Sequence, residues 1–205
     1  MFVILDIDNT LIDTLTENEY KNSIEKIHRK YDYYVETYKL YIWERKGLKE
    51  FLTFLKNNVE KLGIWTNGTN YWLHLVLQKI ISKYIPPSRF CLLYSVEKSD
   101  NVLIDKIDNN GNVYQTNVLL KNLDNIYFFN RKKGVLIDDN YYNCYYNKNN
   151  AIPIKKFLIR NEFDDKELKK TTFIIKTLLH CKDVNVILKK VYESIDYNQL
   201  FTNLF

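Results

Sequence analysis

Three short apolar runs, each breaking off into a polar cluster, constrain this chain more than any other feature. Phe2-Val3-Ile4-Leu5 ends at Asp6-Ile7-Asp8-Asn9-Thr10, Leu62-Gly63-Ile64-Trp65 at Thr66-Asn67-Gly68-Thr69, and Val135-Leu136-Ile137 at Asp138-Asp139-Asn140. Short unbroken apolar runs rich in Val, Ile and aromatics read as strands buried on both faces. Helical spacing separates them. Leu48, Phe51, Leu52, Leu55 and Val59 mark one helix; Leu73, Val76, Leu77, Ile80 and Ile81 mark another, with Pro86-Pro87 close behind. Strands alternating with helices predict an α/β fold around a mostly parallel sheet. Such sheets bind ligands beyond the carboxyl ends of their strands, where these three clusters would converge.

The remaining segments fill in around that frame. Tyr20, Ile24, Ile27, Tyr31 and Tyr34 are spaced by three, four and seven, which predicts a helix over 19–34. Tyr38–Trp43, Phe90–Tyr94 and Ala151–Ile154 read as further strands. Val102–Ile107 and Val113–Thr116 flank Asp108-Asn109-Asn110-Gly111, a hairpin signal. Asp164 and Asp183 are expected N-caps of two terminal helices, and the helix over 184–191 is expected to close the core. No repeat and no Gly-, Ser- or Pro-rich linker divides the chain. Residues 1–205 are therefore expected to form a single domain, with a small β insertion at about 95–120.

Composition excludes several classes. With 46% apolar and 27% charged residues over 205 positions, a substantial core is expected and disorder is not. The three cysteines, Cys91, Cys144 and Cys181, are far apart and show no zinc spacing. They fit an intracellular, reducing compartment, nuclear or cytoplasmic. No apolar run is long enough for a membrane helix, and no signal-peptide pattern opens the sequence. A net charge of +5 is mild and spread along the chain, so no direct nucleic-acid binding is expected. His28, His74 and His180 form no metal-binding set. Seventeen Tyr, many Asn and a lone alanine, Ala151, fit an AT-rich genome such as that of a virus or parasite.

Crowded carboxylates repel unless a cation lies among them, and oxygen-only ligands suit a hard ion such as Mg²⁺. Of two aspartates spaced like Asp6 and Asp8, one can attack phosphorus. The other can protonate the leaving oxygen and then activate water. A hydroxyl such as Thr66 can hold phosphate oxygens, and a lysine is wanted to offset the charge. An isolated Asp-x-Asp-x-Thr most often marks a turn or cap. All three clusters following buried strands in this order make the catalytic reading the stronger one.

Leu5-Asp6-Ile7-Asp8-Asn9-Thr10-Leu11 resembles the first motif of the haloacid dehalogenase superfamily. Asp138-Asp139-Asn140, followed by Asn147-Lys148-Asn149-Asn150-Ala151-Ile152-Pro153-Ile154, resembles one family within it. These are the phosphatases of the RNA polymerase II C-terminal domain and the small phosphatases related to NLI-interacting factor. The similarity runs over nearly the whole chain. It implies a Rossmann-like, haloacid dehalogenase-like sheet flanked by helices, with a small β-hairpin insertion. It also implies a Mg²⁺-dependent phosphatase acting on phosphoserine or phosphothreonine in a phosphoprotein or phosphopeptide, with the RNA polymerase II tail as a candidate.

By the same resemblance Asp6 is the nucleophile and Asp8 the general acid/base. Thr66 and Asn67 lie at the phosphoryl group, and Lys121 is the motif lysine, with Lys132 and Lys133 as rivals. Mg²⁺ falls to Asp6, the main-chain carbonyl of Asp8, Asp139 and the adjoining Asp138. Trp72 stands where the family carries an aromatic near the substrate, with a core position as the other reading. Arg45 is expected at the surface, with a position facing phosphate as the other reading. Asn9 replaces the family's usual Glu or Gly, and Tyr94 or Ser95 stands where some relatives place an arginine. The polar, helical reading of 17–38 departs from the extended segment of small family members. Two other functions stay open: a nucleotide or nucleic-acid 3′-phosphatase of the same superfamily, and a catalytically idle binding module.

Overall fold

Val3, Ile4 and Leu5 have no solvent-accessible surface, which is what an unbroken apolar run at the middle of a sheet requires. The computed structural model of the protein describes residues 1–107, 111–162 and 165–194. Strand β1 (Phe2–Leu5) is the centre of a five-stranded parallel sheet. β5 (Lys61–Trp65) and β6 (Phe90–Tyr94) lie to one side; β9 (Gly134–Asp138) and β10 (Ala151–Pro153) lie to the other. Leu5 is in register with Ile64 of β5 and with Ile137 of β9. The residues that follow those positions therefore leave the sheet along one edge.

Side-chain alternation splits the core in two. Val3, Leu5, Leu62, Ile64, Val135 and Ile137 pack on the face covered by α2 (Leu48–Asn58), α3 (Asn70–Lys79), α5 (Glu167–Leu179) and α6 (Val184–Ser194). Phe2, Ile4, Leu136 and Ala151 face the other way. There they meet Leu123 and Ile126, and Cys144 from the short helix α4 (Tyr141–Tyr146). Val184 and Leu188 of α6 are buried, so this helix closes the core as expected. No described helix is long and apolar enough to cross a membrane.

Two smaller sheets flank this frame. β2 (Ile12–Thr16), β4 (Leu40–Glu44) and β3 (Tyr33–Val35) form an antiparallel sheet in the order β2-β4-β3. β7 (Asp100–Ile107) and β8 (Val113–Leu120) form the expected hairpin, paired from Asp100–Leu120 to Ile107–Val113. Gly111 beside its turn has φ +86°, a conformation open to glycine.

The expected helix over 19–34 is not found. Only α1 (Glu17–Ser23) is helical there, started by a capping box between Thr16 and Glu19. A single 3-10 turn and β3 follow. The helical spacing arises because residues of separate elements converge on one ring. Tyr20, Tyr31 and Tyr34 all pack on Tyr41, with centroids 4.3, 4.9 and 4.8 Å away. Asp164 lies outside the described residues; its neighbour Asp165 accepts the first N–H of α5 from Glu167. Asp183 accepts the N–H of Asn185 at 3.0 Å, as expected of a cap.

Candidate active site

The turn after β1 is tight. Leu11 N–H donates to the Ile7 carbonyl, and Asn9 N–H to the Ile12 carbonyl. Asn9 has φ +59°, a left-handed conformation that asparagine adopts more readily than other side chains. The loop is tied down by Phe157 N–H to the Asn9 carbonyl, and the ladder continues with Asp6 N–H to the Ile137 carbonyl at 3.0 Å.

Asp6 and Asp138, brought level by the β1–β9 register, share the ammonium of Lys121. Lys121 donates to both, at 2.7 Å to Asp138, and all three side chains are buried. Lys121 directly follows β8 and is held by two buried asparagines of or beside α4. Its N–H donates to Asn143 Oδ1 at 3.0 Å, and its carbonyl accepts from Asn147 Nδ2 at 2.7 Å. Asn143 Nδ2 also donates to Asp138 at 3.1 Å. Lys132 and Lys133 are elsewhere, with the Lys133 ammonium on the Cys181 carbonyl.

Asp139 is oriented by Thr10, whose hydroxyl donates to its carboxylate at 3.1 Å and accepts its N–H at 3.2 Å. One oxygen each from Asp6, Asp138 and Asp139 lies within 4.8 Å of the others. Burial, then repulsion from Asp6, lifts Asp138 to about 6 even against the pull of Lys121. Burial, then Asp6 and Asp138, holds Asp139 well above the usual carboxylate range. Burial lowers the affinity of Lys121 for its proton, but Asp138 and Asp6 outweigh it and raise its pKa. Two buried acids and the partly buried Asp139 against one ammonium leave negative charge uncompensated, and the donors are all hard oxygens. A small divalent cation fits that set.

Asp8 leaves the same turn in another direction. Its carboxylate accepts from the Thr66 hydroxyl at 3.1 Å and from the indole N–H of Trp72, 2.9 and 3.1 Å from its two oxygens. Burial raises its pKa; the Trp72 and Thr66 hydrogen bonds oppose the rise without cancelling it. Two acids two residues apart thus sit in different surroundings. Asp6 lies against an ammonium, and Asp8 accepts from two neutral donors in a buried niche.

One expectation, that for Arg45, needs correction, and two further residues have fixed partners. The Asn67 side chain is not turned to the acids. Its amide donates to the Leu119 carbonyl at 3.1 Å and its oxygen accepts from Ser99 at 2.7 Å, so it fastens the hairpin root to β5. Arg45 is neither at the surface nor at the acids. It is 2% exposed and paired with Asp165 at 2.7 Å, and it donates to the carbonyls of Thr10 and Lys155. Trp72 packs partly against the core, yet its polar edge is spent on Asp8. Asn143 is not among the residues singled out from sequence, and Asn147 enters there only as the first residue of the segment that ends at Ile154. Their signal is a pair of asparagines four apart, soon after the Asp138-Asp139 pair.

A search of the curated proteins finds no match. Among solved structures the chain is similar to the fission yeast RNA polymerase II CTD phosphatase Fcp1, in a variant bound to beryllium fluoride. Identity is 18% over 94% of this chain and 54% of that one, with a TM-score of 0.49. The chain thus spans about half the length of that protein. It is also similar to a Thermotoga maritima protein assigned as a β-phosphoglucomutase, with 14% identity over 95% of this chain and 99% of that one, and a TM-score of 0.41. The family model of NLI interacting factor-like phosphatases matches residues 1–185, and on that match the chain belongs to this family of haloacid dehalogenase-type phosphatases.

Proposed function

We propose that the protein is a Mg²⁺-dependent phosphatase that hydrolyses phosphoserine and phosphothreonine in proteins through an aspartyl-phosphate on Asp6. The contrast between Asp6 and Asp8 carries this reading. Asp6 lies against the Lys121 ammonium, and Asp8 lies in a buried niche that raises its pKa. An Asp6 oxygen bonds to phosphorus while the bond to the serine or threonine oxygen breaks, and that oxygen takes its proton from Asp8. A water then bonds to phosphorus and gives a proton to Asp8. The phosphorus–Asp6 bond breaks, freeing phosphate and restoring both acids. Thr66 and the main chain at Asn67 would bind the phosphoryl oxygens, with Lys121 offsetting their charge.

Asp6, Asp138, Asp139 and the Asp8 carbonyl would hold Mg²⁺, which supplies charge neutralisation at the phosphoryl group when bound. The chain reads as one phosphatase domain in which the β7–β8 hairpin is the insertion. Its substrate is a phosphoprotein, with the RNA polymerase II tail as the candidate that the name of Fcp1 suggests. The three widely spaced cysteines suit a reducing compartment, nuclear or cytoplasmic.

Steady-state kinetics test the substrate class. The value of kcat/KM is expected to be higher for phosphoserine and phosphothreonine peptides than for nucleotides or 3′-phosphorylated oligonucleotides. A clear preference for the latter would overturn the protein-phosphatase reading in favour of a nucleic-acid one. No turnover of any aryl phosphate would point to an idle binding module.

The pH dependence follows from Asp8. Burial raises its pKa, so its proton persists to a higher pH than on an exposed aspartate and is lost as pH rises further. The rate of leaving-group departure should therefore peak below pH 7 and fall on the alkaline side. A profile of kcat/KM climbing steadily through pH 9 would contradict this assignment.

A further inference from the structure

We infer that Trp72 is a positioning residue for proton transfer, acting through Asp8, and not only an aromatic wall of the substrate groove. This rests on the reading of Asp8 as general acid. The indole N–H is a donor with no acceptor capacity, and it lies 2.9 and 3.1 Å from the two oxygens of one carboxylate. Together with Thr66 on Oδ2 it fixes the plane of that carboxylate by two side chains from the segment after β5. Nothing in a groove-lining or core role asks the indole to present its nitrogen there.

The local sequence is built to bring the ring in. Thr69 caps α3 by accepting the N–H of Trp72 at 3.2 Å, which sets the residue in the first turn of the helix. Gly68 makes room. A Cβ on it would stand 2.5 Å from Trp72 Cδ1 and 3.2 Å from the Thr66 hydroxyl. Its backbone is outside the left-handed region, so the missing side chain serves the indole and not a strained turn. The Gly68 N–H in turn donates to Thr66 at 2.9 Å, so the whole Thr66–Trp72 turn closes around Asp8.

When the leaving oxygen departs, it takes a proton from one Asp8 oxygen, and the pair of electrons left behind makes a carboxylate. That carboxylate is the state a fixed N–H best accommodates, and its orientation decides whether the proton lies on the line of the breaking bond. Losing the N–H should therefore cost most where the leaving group is poorest.

The test is kcat/KM for a series of substituted phenyl phosphates, from 4-nitrophenyl to phenyl, which changes leaving-group basicity with little change in shape. Trp72→Phe keeps a ring and removes the N–H. It is expected to lower the value about tenfold for phenyl phosphate and about twofold for 4-nitrophenyl phosphate, a part of the ~10²–10⁴ that a placed proton donor supplies. Gly68→Ala keeps the indole but crowds it, and should give the same tilt. An equal loss across the series in both variants, or no loss, would overturn the positioning role and leave Trp72 as a contact residue. Asp8→Asn is the reference. If it shows no tilt, the acid assignment itself fails; if it alone shows one, the fault lies with Trp72.

Discussion

Asp6→Asn is expected to reduce turnover by about 10⁴-fold or more, the scale seen when a covalent nucleophile is removed. The amide keeps the shape of the side chain but has no carboxylate to bond to phosphorus. The fold should survive, because Lys121 keeps its 2.7 Å partner Asp138 and one acid is removed from a crowded buried cluster. The far-ultraviolet circular dichroism of the variant should match the parent. No phosphoenzyme should be trapped from it by acid quenching. Ordinary activity in a folded Asp6→Asn protein would end the proposal of an aspartyl-phosphate on this residue.

Chelation should have an effect of similar size. Three acids face a single ammonium, and burial, with repulsion among them, raises Asp138 and Asp139. EDTA is expected to abolish activity, and Mg²⁺ to restore it. A ligand that binds only the native state also stabilises it, by about 2.7 kcal/mol at a hundredfold excess over Kd. For a chain of this size that is a rise in Tm of roughly 5–10 °C. Asp139→Asn should remove most of the Mg²⁺-dependent rise, which separates binding from turnover. Activity and Tm both indifferent to EDTA and Mg²⁺ would count against a metal at this site.

What could be read in the sequence was what is local in it. The runs 2–5, 62–65 and 135–137 are apolar throughout because each is buried on both faces, and the acids after them are adjacent in chain order. The less legible parts depend on partners far away. Thr10 meets Asp139 from 129 positions off, and Arg45 meets Asp165 from 120. Nothing beside Arg45 in the chain signals a buried guanidinium, so a surface position was the natural expectation. The helix expected over 19–34 failed for a related reason. Its tyrosines share a neighbour, Tyr41, without sharing an element, and spacing alone does not distinguish the two cases. Asn67 and Trp72 lie in the segment after β5. Their hydrogen bonds to the hairpin root and to Asp8 are facts of tertiary geometry alone.

The Arg45–Asp165 pair bears on where this protein can be shortened. The last acid of the cluster is Asp139, so a fragment stopping near residue 160 would hold every proposed reacting group. It would also strand a guanidinium beneath the turn that carries Asp6 and Asp8, with its counter-charge cut away; stranding one member of such an ion pair costs about 3–5 kcal/mol. The smallest working unit therefore has to reach beyond Asp165, well downstream of the chemistry it serves.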